Sequence, residues 1–174
     1  MIAILAVDSD YGISKDGVMP WNIKEDMMFF REKTINYIVI YGANTLRDMG
    51  RPLKNRINII LTTNISPERQ EYNDGATFVY YSLLESISAI TDFCKKHHNI
   101  DKVFVIGGAK TLYLLNNYIN EAFITHIDQN YECDITIKNF VSKFTKYNII
   151  NSIKALDKKN NITVDMKFIH YTID

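Results

Sequence analysis

Short apolar runs, each bounded by polar residues or glycine, recur along the chain and alternate with segments of helical periodicity. Runs of this kind predict strands that are buried on both faces, as in a largely parallel sheet. The central runs are Ile2–Val7, Tyr37–Gly42, Ile57–Thr63 and residues 102–108, with the shorter ATFVYY run at 76–81. The alternation of strands with helices therefore predicts an α/β fold.

The helical segments carry recognisable start and stop signals. KEDMMFFREKT, from Lys24, has acids in its first turn and bases later, as the helix dipole favours. ANTLRDMG predicts a short helix that ends at Gly50. The third helix follows a predicted cap at Ser82, with Glu85 three residues on, and a fourth spans about residues 110–117.

The C-terminal part reads as extended chain. EAFITHID (121–128) is one predicted strand, and residues 144–173 hold two more, separated by the polar turn DKKNN. We predict one domain over residues 1–174, with a mainly parallel sheet of about eight strands, about four helices and a C-terminal antiparallel hairpin. YGISKDGVMPWN (11–22) is predicted as a mobile loop, because glycine and proline punctuate it.

Composition and charge narrow the functional classes. Lys plus Arg equals Asp plus Glu, at 20 each, and no long basic stretch is present, which argues against a nucleic-acid partner. Cys94 and Cys133 lie far apart without metal-ligand spacing, so neither zinc nor a disulfide framework is indicated. The apolar run before Asp8 is too short for a signal or a membrane span. A cytoplasmic protein without a metal site is expected.

Asp26 is the sharpest candidate for chemistry. Met27, Met28, Phe29 and Phe30 follow it directly, and an acid in such apolar surroundings has a raised pKa. Such an acid is suited to binding a protonatable heterocycle. The alternative is that Asp26 and Glu25 are exposed first-turn acids that complement the helix dipole, and the local pattern alone favours neither.

Two further signals are weaker. VFVIGGAK places two glycines between a buried strand and a helix, where backbone N–H groups can meet a phosphate, although such a pair is as often a tight turn. Arg56, with Arg51 nearby, precedes an apolar strand and offers a fork for a carboxylate, although a solvated linker residue is the simpler interpretation of either. His97 and His98 suit a helix C-terminus, and no catalytic role is assigned to them.

Several motifs in fixed order together resemble the dihydrofolate reductase family. The motifs are Ala6, GISKDGVMPWNIKEDM from Gly12, FF at 29 and 30, GANT from Gly42, MGRPLKNRINIIL from Met49, VIGGA from Val105 and THID from Thr125. They cover about three quarters of the chain, and beyond about Cys133 only the general strand pattern matches.

The resemblance implies reduction of 7,8-dihydrofolate to tetrahydrofolate by hydride transfer from NADPH, with protonation of the adjacent ring nitrogen. Asp26 would bind the pterin together with Thr125, Trp21 would hold an ordered water near Asp26, and Met19 would belong to a lid that excludes water. Arg56 would clamp the glutamate carboxylate. The implied substrate-binding residues are Leu5, Ala6, Asp26, Met27, Phe30, Met49, Leu53, Arg56 and Thr125.

The resemblance also implies a cofactor site, often with a cis bond between its two glycines. Its residues would be Ala6, Ile13, Gly17, Gly42, Asn44, Thr45, Leu61, Thr62, Thr63, Ile106, Gly107, Gly108, Ala109, Lys110 and Thr111. Ala43 stands where relatives usually carry Arg or Lys, and Thr63 where some carry Arg. We therefore expect NADPH to be used with a weaker preference over NADH than usual. The aromatic residue expected near the nicotinamide falls one position late, at Tyr113, with Leu112 in its place.

Two other functions compete with this one. The riboflavin-pathway pyrimidine reductase is similar in fold and cofactor, but MPWN, the helix acid and Arg56 favour folate. The second is a relative that binds nucleotide without catalysis. The expected partners are dihydrofolate and antifolate-like small molecules, and the expected state is a monomer.

Overall fold

Strands and helices alternate through the computed structural model, which describes residues 1–63, 69–71, 77–82, 86–96 and 102–174. The described strands are β1 (Ile2–Val7), β2 (Gly12–Ser14), β3 (Ile38–Gly42), β4 (Ile57–Thr62), β5 (Arg69–Glu71), β6 (Thr77–Ser82), β7 (Val103–Gly107), β8 (Glu121–Ile127), β9 (Ile135–Thr136), β10 (Lys146–Asp157) and β11 (Ile162–Thr172). The described α-helices are α1 (Lys24–Thr34), α2 (Ala43–Met49), α3 (Ser86–Lys96), α4 (Ala109–Leu114) and α5 (Lys138–Val141), and a 3₁₀ turn spans Asn116–Tyr118.

The predicted α/β class is confirmed, and the long elements lie within a few residues of their predicted positions. The described residues hold eleven strands and five helices rather than about eight and four. The additions are β2, β5, β9 and α5, none longer than four residues, and elements so short show no periodicity. Glu85, His97 and His98, together with the side chain of Cys94, lie outside the described residues.

The chain divides into two compact units, and the first comprises residues 1–2 and 34–115. Its strand order is β7-β3-β4-β6-β5. The first four of these strands are parallel neighbours, and β5 pairs antiparallel with β6. Ile38, Val39, Ile40 and Tyr41 of β3 are fully buried, as predicted for a strand covered on both faces. Helix α2 ends at Gly50, whose φ of 75° is left-handed, so the predicted glycine stop is confirmed.

The second unit comprises residues 3–33 and 116–174, with the strand order β10-β11-β8-β1. β10 and β11 form the predicted C-terminal antiparallel hairpin, and β11 pairs antiparallel with β8. A core cluster of this unit surrounds Trp21, Tyr131 and Phe168. Both units carry predicted site residues. The single domain over 1–174 stays a prediction.

The segment 11–22, predicted as a plain loop, contains a strand. Gly12 and Ser14 pair antiparallel with β9, and Lys15 forms an isolated bridge with Val18. A three-residue strand within a glycine-containing segment leaves too little pattern to be predicted. Residues 16–19 at the tip are exposed. No helix in the described part of the chain is long and apolar enough to cross a membrane.

Candidate active site

Asp26 is a buried acid in the first turn of α1. It is 8% exposed, and Thr125, which hydrogen-bonds it from β8, is 1% exposed. Burial raises the pKa of Asp26 from 3.8 to about 6, and the hydrogen bond with Thr125 opposes part of that rise. The interpretation of Asp26 as an exposed acid that serves only the helix dipole is therefore wrong.

The residues after Asp26 do not account for its burial in the way their order suggested. Met27 and Met28 are each 50% exposed. Successive helical residues point about 100° apart around the axis, so neither side chain lies on the same face of α1 as Asp26. Phe29 packs against Phe168, with ring centroids 4.5 Å apart. Met27 thus lies at the surface and does not cover the carboxylate of Asp26. Its predicted place in the substrate wall stays a prediction.

Trp21 is buried and lies three residues before the start of α1 at Lys24. Its ring packs against Tyr131 at a centroid distance of 5.2 Å, and Ala6 packs against the same cluster. Trp21 Nε1 is buried and has no hydrogen-bond partner among the described groups. A buried N–H without a protein acceptor fits the ordered water that the family resemblance places here.

In the first unit, Arg56 is buried rather than solvated. Its Nε and Nη2 donate to Thr34 Oγ1 at 3.3 and 3.1 Å, and Nη1 donates to the Lys54 carbonyl at 2.7 Å. The interpretation of Arg56 as a solvated linker residue is therefore wrong, whereas Arg51 is exposed. A guanidinium oriented in this way is suited to a carboxylate ligand.

Asn58 holds the chain segment that leads to Arg56. It is fully buried in β4, and Oδ1 accepts from the Tyr41 hydroxyl at 2.8 Å and from the Leu53 amide at 2.9 Å. Nδ2 donates to the Leu53 and Arg56 carbonyls at 2.9 and 3.1 Å. Sequence reasoning missed Asn58. The signal that could have found it is a single polar residue inside an otherwise apolar strand.

Two helices of the first unit begin at glycines on the same edge of neighbouring parallel strands. α2 begins after Gly42 and α4 after Gly108, and neither has a side-chain cap or an acid in its first turn. A β-carbon at Gly42 would lie 3.1 Å from Thr111 Oγ1, and one at Gly108 would lie 3.8 Å from Thr45 Oγ1. Each glycine thus faces the threonine that follows the other. Uncapped N–H groups beside two hydroxyls are suited to phosphate oxygens.

The cis bond expected between the glycines is present, joining Gly107 to Gly108. Gly107 has a φ of 118°, which favours glycine. Leu112 is fully buried and Tyr113 is 46% exposed, so the aromatic ring lies on the outer side of α4. Lys110 and Thr63 are exposed, and Leu61 and Thr62 are buried.

Asn44, beside Ala43, is exposed, and its side-chain oxygen accepts a hydrogen bond from the Arg47 guanidinium. Asn44 therefore holds the Arg47 guanidinium close to the first turn of α2. In the part of the chain that the structure describes, no three His, Cys, Asp or Glu side chains form a group suited to a metal ion.

The sequence pattern of the family described as "Dihydrofolate reductase" matches residues 1–172, which is nearly the whole chain. The chain belongs to the dihydrofolate reductase family. It is therefore an oxidoreductase, and the resemblance drawn from its motifs is confirmed.

Individual relatives agree with this membership. A dihydrofolate reductase from Bacillus subtilis (strain 168) is 29% identical over 97% of this chain and 91% of its own length. A viral dihydrofolate reductase from Saimiriine herpesvirus 2 (strain 488) is 32% identical over 79% of this chain and 70% of its own length. A solved dihydrofolate reductase from Enterococcus faecalis, complexed with NADP(H) and RAB-propyl, has a TM-score of 0.73 and 26% identity, covering 99% of this chain and 96% of that one.

Proposed function

We propose that this protein reduces 7,8-dihydrofolate to 5,6,7,8-tetrahydrofolate with NADPH, and that Asp26 is the acid that binds and polarises the pterin. The observation that carries the assignment is the burial of Asp26 with Thr125 in a member of the dihydrofolate reductase family. This activity would serve one-carbon metabolism and make the protein an antifolate target.

Asp26 is suited to its proposed task because its carboxylate is held away from water. An ionised Asp26 would accept hydrogen bonds from the amino and ring N–H edge of the pterin, and Thr125 would add a hydroxyl contact. A buried carboxylate favours a positive charge on the neighbouring ring far more strongly than a solvated one does. Protonation of the pterin nitrogen would then be assisted without Asp26 being the direct donor.

Trp21 would contribute through the buried indole N–H. We assign Nε1 to an ordered water that would lie near Asp26 and would carry the proton towards the pterin. Met19, Gly17 and Ile13 belong to the loop proposed to close over the reaction and exclude water. Residues 16–19 are exposed at its tip, which leaves them accessible to a ligand.

Arg56 would bind the glutamate carboxylate of the substrate. Thr34 and the Lys54 carbonyl hold the guanidinium in one orientation, and Asn58 holds the backbone at Leu53 and at Arg56 itself. The remaining substrate contacts proposed for this chain are apolar. They are Leu5, Ala6, Met27, Phe30, Met49 and Leu53.

NADPH, the cofactor of this family, supplies the hydride. The residues present fit it, because the two uncapped helix starts with Thr45 and Thr111 suit a pyrophosphate. Lys110 would add a positive charge, and Ile106 would pack on the nicotinamide. Ala43 supplies no charge for the 2′-phosphate, so we expect a smaller preference for NADPH over NADH than in relatives with Arg or Lys there.

The deciding experiment measures NADPH and NADH oxidation in parallel, with dihydrofolate as substrate. We expect turnover with both cofactors, faster at low concentration with NADPH. A ribosylated pyrimidine substrate of the riboflavin pathway is the matched control, and turnover of that compound alone would overturn the proposal. Binding of NADPH without hydride transfer to either substrate would identify a non-catalytic relative instead.

The proposed monomeric state is tested by light scattering coupled to gel filtration, and the proposed cytoplasmic location by cell fractionation.

A further inference from the structure

A second buried carboxylate of the same unit, Asp157, lies where the β10–β11 hairpin turns. It is 0% exposed and accepts four hydrogen bonds. Oδ1 accepts from the backbone N–H of Asn22 and of Lys159, both at 3.0 Å. Oδ2 accepts from the Tyr131 hydroxyl at 2.8 Å and from Asn160 Nδ2 at 2.6 Å. So many donors around one carboxylate fix its position tightly.

Residues 157–161, here called the hairpin turn, hold residues 19–23, here called the entry segment because α1 follows it. Lys159 Nζ donates to the Met19 carbonyl at 2.9 Å, and Asn160 Nδ2 donates to the Pro20 carbonyl at 2.8 Å. The Lys158 amide donates to the Asn22 carbonyl at 3.0 Å. Ile23 forms an isolated antiparallel bridge with Asp157.

The entry segment thus has four backbone groups bonded to the hairpin turn, which are the carbonyls of Met19, Pro20 and Asn22 and the amide of Asn22. Pro20 is buried, and a carbonyl buried outside regular structure is costly without a donor, which Asn160 supplies. The segment ends where the Met27 amide donates to the Ile23 carbonyl at 3.2 Å, which begins α1. The start of the helix that carries Asp26 is therefore set by contacts with the turn.

A side-chain path runs beside these backbone contacts. The Tyr131 hydroxyl that donates to Asp157 belongs to the ring that packs on Trp21. A tyrosine tethered at its hydroxyl has a restricted ring, and a restricted ring limits the rotamers open to its aromatic neighbour. Asp157 thus acts on both the backbone and the indole of the entry segment.

We propose that Asp157 is a positioning residue for the reaction, which fixes Trp21 and the start of α1 through the hairpin turn and Tyr131. It is proposed to act through these residues, because its carboxylate is fully buried and already accepts four hydrogen bonds. Its proposed effect on turnover rests on the proposed function, whereas its proposed effect on Trp21 does not. A displacement of about 1 Å in a group that aligns reacting atoms is enough to slow an enzyme strongly.

Trp21 is the one tryptophan of the sequence, so its fluorescence reports on this residue alone. The test compares acrylamide quenching of four variants with the unchanged protein. Y131F removes the hydroxyl tether and keeps the ring, and its control, Y171F, removes a hydroxyl that hydrogen-bonds His126 at the far end of β11. K159A removes the bond to Met19, and K158A is its control because Lys158 contributes its backbone N–H, which the substitution keeps.

We expect the quenching constant of Trp21 to rise roughly two- to fivefold in Y131F and K159A, and kcat to fall roughly three- to tenfold, as for the loss of one hydrogen bond of about 1 kcal/mol. The controls should stay within about twofold of the unchanged protein. Unchanged quenching in both Y131F and K159A would overturn the proposal, even if their melting temperatures fell. An equal rise in the controls would overturn it as well.

The two proposals fail separately. If the unchanged protein does not turn over dihydrofolate, the proposed function fails, and quenching in the same variants still decides the role of Asp157. If turnover is present and quenching does not respond, the positioning role alone fails.

Discussion

Asp26 and Asp157 are two buried carboxylates of one unit whose surroundings act on them in opposite directions. Asp26 is 8% exposed, Thr125 hydrogen-bonds its side chain, and its pKa is raised to about 6. Burial alone would raise the pKa of Asp157 too, but hydrogen bonds from Asn22, Asn160, Tyr131 and Lys159 lower it. Burial by itself therefore does not decide what an acid is for. For these two acids, the direction of the pKa shift differs because the fold directs more donors at Asp157 than at Asp26.

The difference separates a reactive acid from a structural one. A carboxylate with few protein donors has lone pairs left for a ligand, and the fold bears the cost of holding its charge. A carboxylate with four donors has little capacity left for a ligand and stabilises the fold instead. In this chain the reactive acid, Asp26, lies in the first turn of α1, and the structural acid, Asp157, holds the entry segment that precedes this helix.

The largest effect is expected from removing the structural acid. D157A leaves four donors without their acceptor, and we expect the free energy of unfolding to fall by about 3 to 5 kcal/mol near neutral pH. Because the pKa of Asp157 is lowered in the folded state, its stabilisation is full above the ordinary value of 3.8 and is lost as the pH falls towards the folded value. Urea titrations of D157A and of the unchanged protein should therefore converge in acid.

The control for that experiment lies on the same hairpin. Asp165 is exposed and pairs with Lys154 at 2.9 Å, so D165A should cost less than about 1 kcal/mol. Equal losses in D157A and D165A would show that the donors around Asp157 find other acceptors. The contrast drawn between the two buried acids would then fail.

The sequence predicted the roles of Asp26 and Thr125, but it did not predict the burial of Asp157. Asp26 was indicated by its place in a first helical turn and by the order of the family motifs, and Thr125 was indicated by the last of those motifs, THID. Asp157 begins DKKNN, which is an ordinary turn composition, and nothing local distinguishes a buried turn acid from a solvated one. Its partners Asn22 and Tyr131 are 135 and 26 residues away. Contacts at such separations arise from tertiary packing, which periodicity does not encode.

Among the strands and helices too, those with a local sequence pattern were predicted and those that depend on distant contacts were not. Long apolar runs predicted β3, β4 and β7, and the charge pattern of KEDMMFFREKT predicted α1, each to within a residue or so, because such patterns are local. β2 and β9 pair across more than 100 residues of sequence and hold two or three residues each. The same holds for Asn58, whose role depends on a loop that folds back on β4.

The next largest effect should come from removing the charge of the reactive acid. D26N keeps the shape of Asp26 but cannot become an anion, so kcat/KM for dihydrofolate should fall by about 10²- to 10⁴-fold, most deeply at high pH, where little substrate is already protonated. E25Q, one residue earlier in α1, is the matched control and should lose less than about threefold. The measurement is NADPH oxidation across a pH series. Activity of D26N close to that of E25Q would remove Asp26 from the reaction.

The same substitution should have the opposite effect on stability. The folded pKa of Asp26, about 6, lies above the ordinary 3.8, so the folded state binds this proton more tightly. The folded state is favoured below pH 3.8, and its ionised acid becomes a cost as the pH rises through 6. D26N removes that cost, and we expect about 1 to 3 kcal/mol of added stability near pH 8.

Chemical unfolding of D26N and of the unchanged protein at about pH 8 and about pH 4 measures this difference. The added stability should shrink towards zero at the lower pH, where both side chains are neutral. D26N that is less stable at both values would mean that Asp26, like Asp157, serves the fold.

The smallest effect is expected at Thr125, where a substitution tests whether a hydrogen-bond donor to Asp26 changes the pKa of that acid. T125V removes the hydroxyl that lowers the pKa of Asp26 and keeps the size of the side chain, whereas T125S keeps the hydroxyl. The apparent pKa of kcat/KM should therefore move up by less than about one unit in T125V and stay near the original value in T125S. Because Thr125 is also a proposed pterin contact, KM should rise in T125V by roughly two- to fivefold, as expected for one lost hydrogen bond. A pH profile that is the same in T125V and T125S would mean that the hydroxyl does not tune Asp26, and that burial alone separates this acid from Asp157.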